Sequence, residues 1–258
     1  MMRRLLLAVL LLPSLAWCQT SGSAPGDDMA GLTSPAPPTP ASMPTFQAGV
    51  LALKADRPQE AIDYLTRELA EHPRNGKAWY YRGVCHANLS GSDAALSDFD
   101  RALELMPNDA NVLLRRSEVN TSIKRYDAAI QDLEAVLRSH QAGPIAEHAL
   151  MGIGEVHMRR GEYRQAIAVY DRFVMIAPGD ARSWFDRGIA HAHNNDHQQA
   201  FNDLSKAIAL DGWMHRAYTA RAIELVHLDR KPEACTDLAK AKELGDDSVD
   251  ELRAIYCD

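Results

Sequence analysis

An all-α fold of stacked helical hairpins is predicted by three features of the 258-residue chain. The first is a recurrence. Residues 76–109, GKAWYYRGVCHANLSGSDAALSDFDRALELMPND, contain Trp79, Gly83, Ala95, Phe99, Ala102 and Pro107, and the same kinds of residue return at a stride of 34. Trp184, Gly188 and Ala200 lie 105 residues beyond Trp79, Gly83 and Ala95, which is three strides plus three residues. A period of that length marks stacked helix–turn–helix units. The second feature is punctuation: two helix-length apolar segments are separated by turn residues, and the second stops before a proline. The third is composition, rich in Ala and Leu with only 7% aromatic residues, which suits helices at close quarters.

The first eighteen residues stand outside this pattern. Arg3-Arg4 precedes an unbroken apolar run from Leu5 to Leu12, then Pro13 and Ala16-Trp17-Cys18. A charged start, a short apolar run and a processing site predict a signal peptide over 1–18 and an exported protein of the periplasm or cell envelope. The run is too short to span a bilayer. Two processing routes stay open: cleavage that releases the protein, or lipidation of Cys18 as a membrane tether. Leu15-Ala16-Trp17-Cys18 resembles a bacterial lipobox, although Trp17 departs from the small residue expected there. Residues 19–41, QTSGSAPGDDMAGLTSPAPPTPA, offer almost nothing to pack and predict a disordered Ser/Pro/Gly-rich linker.

With Trp79 in the fourth place of the frame, units begin near Ser42, Gly76, Ala110, Glu147, Ala181 and His215. This gives six repeats, about 42–75, 76–109, 110–146, 147–180, 181–214 and 215–246. One slip is needed, three extra residues near Gly143-Pro144, which suit the loop between units three and four. In unit two the first helix covers about 76–89, Ser90-Gly91-Ser92 makes the turn, and the second helix runs from about Asp93 to Leu105. Gly83 and Ala95 are small because tightly crossing helices need room, while Trp79 and Phe99 fill the wedge between hairpins. Units four and five repeat the design; in units three and six Ser117 and Ala222 replace the glycine.

Six units in phase resemble the tetratricopeptide repeat family over about 42–246, which implies a right-handed α-solenoid. One departure stands out. The Leu expected just before the glycine is Arg82, Arg116, Arg187 and Arg221 in four units, and sixteen residues later come Asp98, Asp132, Asp203 and Asp237. The other two units are apolar at both places, Ala48 with Tyr64 and Ile153 with Val169. Charge at both positions or at neither predicts four structural Arg–Asp pairs joining the helices of a hairpin.

Residues 247–258 predict a capping helix for the open end of the stack, with a Ser248–Glu251 capping box and an apolar face of Val249, Leu252, Ile255 and Tyr256. Cys257 ends it, and Cys235 lies where the cap would pack. In an oxidising compartment a Cys235–Cys257 disulfide is one outcome, leaving Cys85 an isolated thiol. Two free thiols at those positions are the other outcome.

The net charge of -7, without a basic stripe, argues against nucleic acid as a partner. No nucleophile motif, zinc-protease motif, phosphate loop or dinucleotide fingerprint is present, so no catalytic residue and no cofactor is assigned. His193 and His197 have the four-residue spacing of paired metal ligands, but the turn expected at 194–196 separates them. His86, His157 and His191 share one place in their frames, a packing position filled by a ring.

The resemblance implies a non-catalytic scaffold that binds a protein or peptide in a concave groove lined by first helices. Carried onto this sequence, the groove presents Phe46, Tyr80, Val84, Leu114, Glu118, Met151, Glu155, Met158, Phe185 and Ile189, with Lys77, Asn88, Arg159, Arg182 and His193 at the rim. A second reading is a self-associating structural or assembly factor, a homo-oligomer whose groove takes another copy's tail. Relatives that build pili, secretion machines or cell-wall complexes are the examples this resemblance suggests.

Overall fold

The structure, a computed structural model, describes residues 44–257. The signal peptide over 1–18, the lipid site at Cys18 and the linker over 19–41 lie outside the described residues. Thirteen α-helices and no strand are present among the described residues. They pair in order: Thr45–Lys54 with Pro58–Glu71, Gly76–Asn88 with Ser92–Leu105, Ala110–Ser122 with Tyr126–Ser139, Pro144–Arg160 with Tyr163–Ile176, Ala181–His193 with His197–Leu210, and His215–His227 with Lys231–Glu243. Asp250–Tyr256 follows as a short terminal helix.

Each hairpin closes through the same backbone device. Asp56, Ser90, Lys124, Gly161, Asn195 and Asp229 occupy equivalent places in the six turns, and all have positive φ. That left-handed residue turns the chain back on itself within two or three residues, and only Gly161 adopts it without steric cost. Between hairpins, Asn75, Asp109 and Asp180 cap the following first helix by accepting amide N–H bonds, which satisfies donors the helix itself leaves unpaired.

Packing is local and sequential. The two helices of a hairpin pack together, and each second helix packs on the next unit's first helix. First helices of successive units also touch one another, a contact not repeated to that extent between neighbouring second helices. The stack therefore bends with the first helices on its inner side. The interior is a chain of small cores rather than one large one; Leu65, Phe99, Val136, Leu150 and Leu204 are fully or almost fully buried in successive hairpins. A Cβ added at Gly83 would come within 2.7 Å of the Phe99 ring, so this glycine is what allows a ring between the two helices.

Two expectations need correction. The three extra residues near Gly143-Pro144 do not lengthen a loop. Pro144 opens the first helix of unit four, which gains a turn and reaches 17 residues against 13 in units two, three, five and six. Proline is well placed there because the first helical residues lack intrahelical N–H partners. The Ser248–Glu251 capping box is also absent. Asp246 caps instead, accepting from the Ser248 amide at 3.1 Å and from its hydroxyl at 2.5 Å. Asp247–Val249 is thereby drawn into a 3-10 turn ahead of the terminal helix. Val249 and Leu252 bury that helix against unit six, and Cys235 is bonded to Cys257 across a Cα separation of 5.6 Å.

Candidate functional site

The edge of the stack carries an ionic ladder. Arg82 donates from Nε and Nη2 to the two Asp98 carboxylate oxygens at 2.9 and 2.8 Å. Arg116 does the same to Asp132, Arg187 to Asp203 and Arg221 to Asp237, all between 2.6 and 2.9 Å. The third nitrogen of each fork reaches back to the preceding hairpin, to Thr66, Asp100, Asp171 and Ser205. Those acceptors lie sixteen residues before the Arg, a relation the sequence displays but the pairing argument overlooked. The ladder therefore fastens unit to unit as well as helix to helix. Trp79 and Trp184 stack beneath Arg82 and Arg187, with ring centres 4.7 and 4.9 Å away. Unit four, lacking the Arg, fills the same space with Leu137, Ile153 and Val169. The ladder is structural: its carboxylates within the hairpins, Asp98, Asp132, Asp203 and Asp237, are buried and occupied.

The inner face is built from the first helices. At its N-terminal end Phe46, Tyr80 and Tyr81 form an aromatic group, with centroids 5.9 Å apart for Phe46–Tyr81 and 5.1 Å for Tyr80–Tyr81. Val84 lies partly buried beside it. The Tyr80 hydroxyl is within hydrogen-bonding reach of Arg115, and burial raises its pKa despite that cation. Arg115 in turn donates to Glu118 at 2.9 Å, and His148 approaches the other Glu118 oxygen at 3.2 Å. Burial pushes the Glu118 carboxyl up, but His148 and Arg115 outweigh it and hold the pKa below the ordinary value. Glu155 accepts two bonds from Arg159, at 2.9 and 2.7 Å. Met151 and Met158 lie half-buried on the core of unit four, and Phe185 sits under Arg216 at 5.6 Å. Ile189 is half-buried on the first helix of unit five.

Of the ten expected groove residues, Leu114 is misplaced. It is only 6% exposed and packs with Leu133, Val136 and Ile153 in the core. The other nine keep some exposure. Sequence reasoning missed Arg115, His148 and Asp186, which share the inner face with them. Arg115 and Asp186 share one place in the repeat frame, held in the other units by Gln47, Tyr81, Gly152 and Ala220, so comparing that place would have shown both charges; His148 stands where Lys77, Asn111, Arg182 and Arg216 are also polar, and nothing in the sequence singles it out.

Several histidines are tied to acids or rings. His157 meets Glu162 at 2.6 Å, His191 meets Asp196 at 3.4 Å and His197 meets Glu224 at 2.7 Å. His193 stacks on Tyr163, away from His197. Among the described residues no three His, Cys, Asp or Glu side chains come together to hold a metal ion, and no helix is long and apolar enough to cross a membrane.

A curved stack of helical hairpins with a mixed aromatic, Met and polar inner wall defines the α-solenoid class of binding scaffolds. Within that class, profiles of the tetratricopeptide repeat family match residues 46–110 and 122–181, and residues 153–226. The chain belongs to the tetratricopeptide repeat family. Its fold is similar to the C-terminal part of a repeat-containing protein from Cytophaga hutchinsonii, with a TM-score of 0.69 at 17% identity over 81% of this chain and 82% of that one. It is also similar to YrrB, described as a TPR protein with an unusual peptide-binding site, with a TM-score of 0.58 at 18% identity over 74% and 97%. Among curated proteins, the human protein SGT1 homolog is 32% identical over 93 residues, 36% of this chain and 26% of that protein. Serine/threonine-protein phosphatase T of Aspergillus oryzae is 30% identical over 111 residues, 43% and 23%. The chain matches about a quarter of the length of these relatives. Members of this family act as protein–protein interaction scaffolds and are generally not catalytic.

Proposed function

We propose that this protein is an exported scaffold that binds a segment of a partner polypeptide along its inner face. The observation that carries this reading is the inner wall itself: Tyr80, Met151, Met158 and Phe185 remain partly exposed on the first helices of units two, four and five, with paired charges between them. Met and aromatic side chains on rigid helices present adaptable apolar contacts to a segment of variable sequence. The fold neighbour described as having a peptide-binding site supports the same reading. Export is supported by the charged and apolar start of the sequence and by the Cys235–Cys257 bond, a feature of oxidising compartments.

The test is affinity capture with the full chain beside a Tyr80→Ala, Phe185→Ala version. Bands retained by the first and lost by the second are expected. Identical captures from the two proteins would move the binding surface elsewhere. Mass spectrometry of the mature N-terminus decides between cleavage and lipid attachment at Cys18.

A further inference from the structure

Among the inner-face carboxylates, one is left poorly served. Glu118 and Glu155 each accept Arg bonds of 2.7–2.9 Å. For Asp186, on the first helix of unit five, the one ion pair among the described residues is Arg182 of its own helix, at 3.5 Å, with Arg216 of unit six acting from farther away. That contact is longer than a good charged hydrogen bond. The Asp186 side chain is nonetheless 19% exposed.

A second group points at the same place. Tyr170 on the second helix of unit four is 4% exposed, and among the described residues no hydrogen bond is made by its hydroxyl. In the other five units this position holds Leu65, Phe99, Leu133, Leu204 and Leu238, all hydrocarbon. Gly154 makes room for the ring, since a Cβ there would stand 2.3 Å from it. The hydroxyl is within electrostatic reach of Asp186, Glu155 and Arg182. One unit earlier, the place equivalent to Asp186 is Gly152, and its Cβ position lies 3.0 Å from Leu133, the equivalent of Tyr170. The repeat geometry thus sets Asp186 against Tyr170.

We propose that Asp186 and Tyr170 form a specificity pocket on the inner face for one basic side chain, lysine or arginine, of the bound partner segment. This rests on the inner-face reading above. The incoming N–H groups donate to the Asp186 carboxylate and to the Tyr170 oxygen, completing both. Glu155, which accepts from Arg159, faces the same place, and Arg216 lies over the Phe185 ring at 5.6 Å while still acting on Asp186. The charged groups facing Asp186 are Arg182 on its own helix, Glu155 and Tyr170 from unit four, and Arg216 from unit six. Burial raises the Asp186 pKa to about 6 against the pull of Arg182. A bound cation favours the ionised form, so binding strengthens as pH rises through that value.

The experiment is selection of a random peptide display library on the full chain at about pH 7.5, followed by anisotropy titration of the recovered peptides. One shared Lys or Arg is expected. Replacing a shared Lys by norleucine, or the protein's Asp186→Asn or Tyr170→Phe, weakens binding about tenfold. Binding by the unsubstituted chain weakens toward about pH 5, and Asp186→Asn loses that dependence. Circular dichroism checks folding; if Asp186→Asn does not fold, Tyr170→Phe and the peptide substitution carry the test. Peptides that need Tyr80 and Phe185 but share no basic residue, or bind Asp186→Asn equally well, overturn the pocket and leave the inner-face reading standing. Peptides indifferent to Tyr80→Ala, Phe185→Ala overturn both.

Discussion

Asp186 shows how one side chain can work against the stability of the fold that holds it. Its ordinary pKa lies near 3.9, and burial lifts it to about 6 in the folded chain. A carboxyl raised on folding contributes stability that is fully present below about pH 4 and is lost as pH rises through about 6. Asp186→Asn keeps the shape and removes the charge. It should therefore be more stable than the unsubstituted protein at neutral pH, by about 2 kcal/mol, with the gap closing below about pH 4. Denaturant melts at the two pH values check this; equal stability throughout would show that the carboxylate is better solvated than its burial suggests. Asp132, another aspartate and 4% exposed, is the opposite case, because the Arg116 fork meets both of its oxygens. Burial alone does not make a carboxylate costly; burial without a close donor does.

The hairpin gains its specificity from such forks. Arg187 spans three helices, bonding Asp203 within its own unit and Asp171 in the one before, with Trp184 stacked on its plane. Lys could not reproduce that planar, three-way geometry. Removing the guanidinium by Arg187→Met leaves Asp203 buried with only His191, at 3.9 Å, beside it, and is expected to cost about 3 kcal/mol. Arg187→Met with Asp203→Leu should recover most of the loss, since unit four shows that Leu137, Ile153 and Val169 fill the equivalent space. A double variant no more stable than Arg187→Met alone, in equilibrium unfolding, would show that the pair is not energetically coupled. The helices themselves needed less arrangement. Their turns all bend at the same place, and five of those six positions hold a non-glycine residue with positive φ. Tertiary packing therefore overrides a local cost of about 1–2 kcal/mol per turn.

A stack with only neighbour-to-neighbour contacts is weakest at its ends. Here the C-terminal end is closed by a short helix covalently fastened to unit six. Cys257→Ser should cost about 2–4 kcal/mol and act on that end first. Hydrogen exchange is expected to speed up in 215–256 while the second and third units keep their protection. Uniform acceleration along the chain would mean that the stack unfolds as a single cooperative block. Cys85 offers an internal control, being buried with its thiol pushed up to about 11 by desolvation, so it should resist alkylation until unit two opens.

In the sequence by itself, the 34-residue recurrence of small residues where helices cross, with large side chains between them, was enough for the all-α class, the period and the family. It also carried the four Arg–Asp pairings, since a forked cation and its carboxylate were present or missing together. Only the tertiary structure decided where the extra turn of unit four went, which acid caps the terminal helix, and that Leu114 belongs to the core. It alone set Asp186 beside Tyr170. Those outcomes depend on how neighbouring hairpins meet, and a unit's own residues specify its two helices but not which groups the next unit will bring within bonding distance.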